Sequence, residues 1–353
     1  MSTLNDSAYS ASQVAEYLDV LGLPASFHPS ADPVLDLSYL TALFVHQITT
    51  VPYENLVIHY SPQHEVVLDP QALFAKMVTN RARGRGGYCM ETSILFNHML
   101  RAIGFDVYMA GVRVRPRDAN NVPCADYMGY VHLVNIVTLP AGPGSSAEPA
   151  QRYALDVGFG GDGPTLPMPL TAGLVHHNSI GTQEVRLVRE FLPFQRRRRR
   201  RLGYSGAGTE TDGDASLMHW VYQYRNGADR PWIACYAFSE FEFGEADFHI
   251  VNYFTSKAPT SFQSYTPVAV LFLRSQDQEG RSNVVGKVML IHGLVKRNVT
   301  GRTELVATCA TEAERVAALA EYLGIRLTAD EAASIRGRAP EIVGAGNLAA
   351  APS

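Results

Sequence analysis

Arg85-Gly86-Gly87-Tyr88-Cys89-Met90-Glu91 is the stretch from which the rest of the chain can be read. Two glycines permit a tight turn and a close approach to a neighbouring backbone. Directly after them Met90, Ile94, Leu95, Met99 and Ile103 recur at three- to four-residue spacing, and Gly104 stands where a helix ends. The spacing predicts a helix from Cys89 to Ile103 with the cysteine in its first turn. Unpaired N–H groups and the positive end of the helix dipole favour a thiolate there. Arg85 would add positive charge if its side chain turned that way. A cysteine is also commonly a small buried apolar residue. The Gly-Gly elbow weighs toward a nucleophile, on condition that a histidine and an orienting acid exist downstream.

The whole chain narrows the classes to which such a cysteine can belong. Its 353 residues suffice for two or three domains, and 46% hydrophobic with 18% charged residues is the composition of a soluble globular protein. A net charge of -4 gives no pull toward nucleic acid or an anionic membrane. Cys89, Cys124, Cys235 and Cys309 show no C-x-x-C spacing, so neither a metal site nor a redox pair is expected. No apolar run approaches the ~20 residues of a membrane helix, and the polar N-terminus lacks the regions of a secretory signal. A cytoplasmic protein with reduced cysteines is expected, a monomer or weak homo-oligomer. Asn298-Val299-Thr300 then reads as a loop rather than a glycan site.

Periodicity divides the chain. Helices are predicted at 10–23, capped by Ser12, at 36–49 and at 69–77, with an extended turn at 51–56. Strands are predicted at 107–114, 130–139, 153–157, 184–189 and 220–224, which suggests a barrel or curled sheet. The last third alternates strands at 264–274 and 283–290 with a helix at 311–323 and a short one after Thr328. Six consecutive arginines at 196–201, followed by a Gly/Ser/Thr/Asp-rich stretch, read as a solvated mobile loop. The sharper alternative is a patch that attracts an anionic substrate or marks nucleic-acid or nuclear targeting, and one isolated run in a slightly acidic chain does not make a nucleic-acid protein.

The required partners lie in the strands. His132 sits in a β-branched run where period-two alternation puts it on the face of Val134 and Ile136. Asp156 ends a strand at Gly158, and a charge so placed calls for a partner such as an imidazolium. Were the three to meet, His132 would take the thiol proton, Asp156 would steady the cation, and the thiolate could attack an acyl carbonyl. Backbone N–H groups of Cys89 and of the Gly-Gly turn would then receive the oxyanion. His249 and His292 are not excluded by pattern. Spacing alone leaves protease, transglutaminase, amidase and acyltransferase open.

Several ordered pieces resemble the arylamine N-acetyltransferase family: Val51-Pro52-Tyr53-Glu54-Asn55-Leu56, the Arg85 stretch, the His132 strand, Asp156-Val157-Gly158-Phe159-Gly160, and Asn252-Tyr253-Phe254-Thr255-Ser256-Lys257-Ala258-Pro259-Thr260-Ser261. The resemblance implies an α+β fold in three domains around a Cys-His-Asp core like that of cysteine proteases and transglutaminases. These are a helical bundle at 1–105, a β-barrel at 106–225 bearing His132 and Asp156, and an α/β lid with a C-terminal helical region at 226–353. It implies a ping-pong reaction in which acetyl-CoA acylates Cys89 and an arylamine or arylhydrazine takes the acyl group, with no tightly bound cofactor. Gly129, Thr260 and Ser261 match positions near coenzyme A, and Phe159 an aromatic bordering the amine pocket. Ser93, Met128, Gly161 and Gly163 depart from family habits, the two glycines implying a roomier acceptor pocket. Some microbial eukaryotic members use malonyl-CoA, whose carboxylate would need a cation near the acyl site; no arginine is singled out for it by the sequence. An amide synthase or thiol hydrolase on the same fold, and a catalytically dead binding protein, are the rival readings.

Overall fold

The structure is a computed structural model and describes residues 7–118, 122–140, 150–178, 180–196, 199–201, 210–212 and 214–344. Helix α1 (Ala11–Leu21) is capped by Ser10, not by the expected Ser12: Ser10 Oγ accepts from Gln13 N while the Gln13 side chain accepts from Ser10 N. Asp36 caps α2 (Leu37–Thr50) through Tyr39 N at 2.9 Å. The 51–56 segment is extended only at β1 (Tyr53–Glu54); it then turns into the unexpected helix α3 (Leu56–Tyr60), because the Glu54 carboxylate accepts from Leu56 N at 2.7 Å. Asp69 caps α4 (Pro70–Phe74), which widens into a π-turn at Ala75–Thr79. Helix α5 (Cys89–Ile103) has the predicted bounds and ends on Gly104 at φ 116°. Leu95, Phe96, Met99 and Leu100 on this helix are fully buried, so it forms the centre of the N-terminal core.

The middle of the chain supplies β2 (Asp106–Val114), β3 (Tyr130–Leu139), β4 (Gln151–Leu155), β5 (Met168–Pro169), β6 (Val175–His177), β7 (Gln183–Glu190), β8 (Arg199–Arg201), β9 (Glu210–Asp212), β10 (His219–Asn226) and β11 (Ile233–Glu242). Eight of these form an antiparallel sheet in the order β5-β4-β3-β2-β11-β10-β7-β6. Its two ends, β5 and β6, are not hydrogen-bonded to each other, so the expected barrel is a curled, open sheet. Curling brings Ala154 and Met168 near one edge into the same core as Val185 and Leu187 near the other, around Tyr222 and Tyr236. The strand β11 pairs with both β10 and β2, so the sheet runs past residue 225. At 199–201 the arginine run is not the expected loop: β8 pairs with β9, with Arg199 in register with Asp212 and Arg201 with Glu210. Residues 197–198 and 202–209 lie outside the described residues.

Beyond β11 come α6 (Glu245–Lys257), α7 (Phe262–Tyr265), β12 (Val268–Gln276), β13 (Ser282–Ile291), β14 (Leu294–Val299), β15 (Arg302–Thr308), α8 (Glu312–Leu323) and α9 (Ala329–Ala333). Here the expected strand at 264–274 begins as α7, and Thr311 and Thr328 cap the two predicted helices. Asn298 and Val299 end a strand and Thr300 turns at φ 53°, where a loop was expected. The second sheet, β1-β12-β13-β14-β15, takes its edge strand from the N-terminal segment, with Tyr53 opposite Val270. Two side chains then lock the nucleophile helix to the first sheet: Asn135 Nδ2 donates to Ser93 O at 3.0 Å, and Asn97 Nδ2 to Asn135 Oδ1 at 2.9 Å. Ser93 is one turn beyond Cys89 and Asn135 three residues beyond His132, so these bonds set the distance between the two elements.

Candidate active site

Cys89, His132 and Asp156, far apart in sequence, come together where α5, β3 and the end of β4 meet, each side chain almost wholly buried. His132 Nε2 is 2.9 Å from Asp156 Oδ2, and Asp156 Oδ1 accepts from Gly158 N at 3.1 Å. This arrangement leaves Nδ1 on the other side of the ring, and the Cys89 side chain lies close enough to act on the imidazole. Burial alone would pull the imidazolium down, but the Asp156 carboxylate, its hydrogen bond and the Cys89 side chain outweigh it and push the His132 pKa up to about 10. His249 and His292 lie elsewhere, on α6 and in the β13–β14 turn. Among the described residues no cluster of His, Cys, Asp or Glu could hold a metal, and no helix is long and apolar enough to cross a membrane.

The elbow is built from behind. Glu54, fully buried, accepts from Arg85 Nε at 3.0 Å and from Gly86 N at 3.3 Å. Arg85 therefore points away from the thiol, its other end on Glu331 of α9 at 2.9 Å, which corrects the idea that it charges the cysteine. A Cβ on Gly86 would stand 1.8 Å from Pro52 O, so only glycine lets the turn lie against β1. The expectation that this turn offers its N–H groups to an oxyanion also fails. Gly87 N donates to Pro52 O, Gly86 N to Glu54, and Tyr88 N to Glu91 Oε2. Of the expected donors, Cys89 N keeps its proton without a protein acceptor among the described residues.

Gly158 closes the site from the front: a Cβ there would lie 2.8 Å from Cys89 Cα. Phe159 packs at a tilt against the His132 ring, centre to centre 5.4 Å, and edge-on against Tyr236 at 4.9 Å. With Tyr53, Asp156, Gly160, Val270 and Phe272 it lines an apolar crevice. Of the residues matched to coenzyme A contacts, Gly129 is exposed with nothing within 4 Å of a built Cβ, and Thr260 is exposed. Ser261 is buried, and its hydroxyl donates to Thr255 O at 2.6 Å. Sequence reasoning missed Tyr53 and Tyr236. Burial and the neighbouring Cys89 raise the Tyr53 pKa, and burial and Asp156 that of Tyr236, so both phenols stay neutral beside the site. Tyr53 falls within the quoted Val51 to Leu56 stretch, but nothing in the local pattern marks either tyrosine.

A cysteine in a glycine elbow beside a carboxylate-held histidine has the groups that acyl transfer through a thiol requires. The N-acetyltransferase family model matches residues 36–332. The N-malonyltransferase FDB2 of Fusarium pseudograminearum is 32% identical over 346 residues, 93% of this chain and 92% of that protein. An arylamine N-acetyltransferase of Mycolicibacterium smegmatis is 34% identical over 166 residues, 47% of this chain and 53% of that protein. Among solved structures, the Mycobacterium marinum arylamine N-acetyltransferase in complex with CoA superposes with a TM-score of 0.66 at 25% identity, covering 93% of this chain and 99% of that one. The chain belongs to the arylamine N-acetyltransferase family, whose members use acyl-CoA as a co-substrate.

Proposed function

We propose that this acyltransferase works by a ping-pong reaction through a thioester on Cys89, from acyl-CoA to an arylamine or arylhydrazine. The single observation that carries the reading is the buried His132–Asp156 pair at 2.9 Å with Cys89 on the same ring. His132 takes the Sγ proton and Asp156 holds the resulting cation in place. The thiolate attacks the acyl carbonyl, and the oxyanion meets Cys89 N–H at the start of α5. The coenzyme A thiolate leaves with the proton from His132. The amine then attacks the thioester, gives its proton to His132, and the C–Sγ bond breaks to return the free thiol. Gly129, Thr260 and Ser261 are assigned to coenzyme A and Phe159 to the amine pocket.

Of the two donors, malonyl-CoA is favoured over the acetyl-CoA of the first expectation, because the FDB2 similarity spans nearly the full length of both chains. The chain is also proposed to divide as expected into a helical unit, a sheet unit and a C-terminal unit, with β11 counted in the second. Four free cysteines fit a cytoplasmic setting. Incubation with acetyl- or malonyl-CoA without amine should add one acyl group to the intact protein, and Cys89→Ala should remove both the adduct and all transfer. Transfer that survives in Cys89→Ala would sink the thioester route.

A further inference from the structure

The loop after Asp156 carries a charged cluster that acyl transfer by Cys89, His132 and Asp156 does not use. Asp162 Oδ2 lies 2.7 Å from Arg117 Nη1, and Asp162 Oδ1 lies 3.4 Å from Lys287 Nζ, which also donates to Gly161 O. Lys287 is only 6% exposed. An ammonium has three protons to donate; two face these oxygens, and the third has no protein acceptor among the described residues. A buried N–H of an ammonium left without an acceptor costs free energy unless something supplies one.

Sheet register shows where that proton can go. Lys287 stands opposite Phe272 and Met289 opposite Val270, with Tyr53 opposite Val270 on the other side, so all five share one sheet face. Tyr53, Val270 and Phe272 line the crevice beside Asp156 and Phe159, and Lys287, though not one of its lining residues, is the cross-strand neighbour of Phe272. Gly161 makes room for it: a Cβ there would be 3.4 Å from Lys287 Nζ and 3.2 Å from Met289 Sδ. Arg117 reaches the same place from β2's end, its guanidinium 5.9 Å from the centre of the Phe159 ring, whose centre is 5.4 Å from the His132 ring. The guanidinium and the His132 imidazole thus both lie against the same aromatic ring. Asp162, half-buried, has its carboxyl held below the usual range by Lys287 and Arg117 and so anchors both.

We propose that Lys287, anchored on Gly161 and Asp162 and assisted by Arg117, receives the free carboxylate of a β-carboxyacyl donor and selects a malonyl over an acetyl group. The assignment rests on the thioester reading above. A carboxylate supplies the acceptor that the third ammonium proton lacks, and the bond formed is charge-assisted; an acetyl group offers nothing at that position.

Cys89 acylation can be timed by quenched-flow intact mass, without any amine, using malonyl-CoA, acetyl-CoA and malonyl-CoA whose free carboxyl is methyl-esterified. Wild type should acylate at least about 10-fold faster with malonyl-CoA than with its methyl ester. Lys287→Met should slow the malonyl reaction about 10- to 100-fold while acetylation stays within about 3-fold, and Lys287→Arg should recover part of the loss. An unchanged malonyl-to-acetyl ratio in Lys287→Met, or an effect only on the later amine step, overturns the proposal. If Lys287→Met does not fold, the wild-type comparison of acid and ester decides alone, and equal rates overturn the proposal. Absence of an adduct with every donor would overturn the thioester reading as well, so the two failures are told apart.

Discussion

Charge surrounds Cys89 from behind and from in front, and the two sides are built differently. Behind the elbow three carboxylates, Glu54, Glu91 and Glu331, face three cations, Lys76, Arg83 and Arg85. Glu54 and Glu91 are almost fully buried, and burial works against both as anions. Arg85 and Lys76 hold the Glu54 carboxyl below its usual range, whereas Glu91 stays above it. In front, among the described residues, the Asp162 carboxylate pairs with both Arg117 and Lys287. A network matched charge for charge holds a backbone turn in shape and joins α9 to the nucleophile elbow. A lysine with a donor to spare beside the crevice is suited to a ligand. The same residue types therefore serve architecture on one side of the sulfur and recognition on the other, and the difference is in the balance of carboxylates and cations, although even the rear network leaves Arg85 Nη2 without a hydrogen-bond partner among the described residues.

Substitutions can break this contrast, beginning with the largest effect. Asp156→Asn should lower turnover about 10³- to 10⁴-fold by favouring the wrong imidazole tautomer, as in serine triads, with folding retained in circular dichroism; near-normal turnover would remove Asp156 from the mechanism. The same pair sets a pH signature. His132 titrates at about 10 in the folded chain, against about 6.5 when unfolded, so the native state holds a proton the unfolded state lacks between those values. Stability from this pair is complete below about 6.5 and declines as pH rises toward about 10. Urea midpoints across that window should fall in wild type and fall less in Asp156→Asn.

Glu54→Gln tests the rear network. Leaving buried Arg85 with Glu331 alone, and Lys76 with Glu91 alone, should cost about 3 to 5 kcal/mol in urea unfolding, whereas a loss below about 1 kcal/mol would make the network ornamental. Gly158→Ala brings the two sides together: its methyl must displace the Cys89 backbone, and a shift near 1 Å should slow acylation about 10²-fold. Unchanged acylation rates would mean the front loop gives way freely. Gly129→Ala should be smallest. With open space around a built Cβ, stability should stay within about 0.5 kcal/mol, while a raised KM for acyl-CoA alone would support its assignment to coenzyme A.

Local pattern made much of this legible, and its failures have physical causes. Helix α5 and strand β3 were readable because each buries one face at its own period, and His132 and Asp156 followed from polar groups in apolar strands. Helix α6 was missed because its pattern is inverted: Ile250 and Tyr253 are exposed while Asn252, Thr255 and Ser256 are buried. Asn252 is buried because its side chain donates to Val66 O, and that partner is remote in sequence. Strand β15 was missed because nearly all of it is exposed, so it shows no alternation. Strand β11 was missed too, and its pairing with β2 joins segments more than a hundred residues apart.

What the sequence determined by itself was the elbow, the helix behind it and the three chemical groups a thiol acyltransferase needs, since each is written in spacing and residue type over a few turns or strands. Which N–H groups remain open to an oxyanion, where Arg85 points, and that Lys287 stands beside Gly161 were decided only in three dimensions. Those facts depend on donors and acceptors that meet across long loops, and a hydrogen bond already taken by a distant residue leaves no trace in the local pattern.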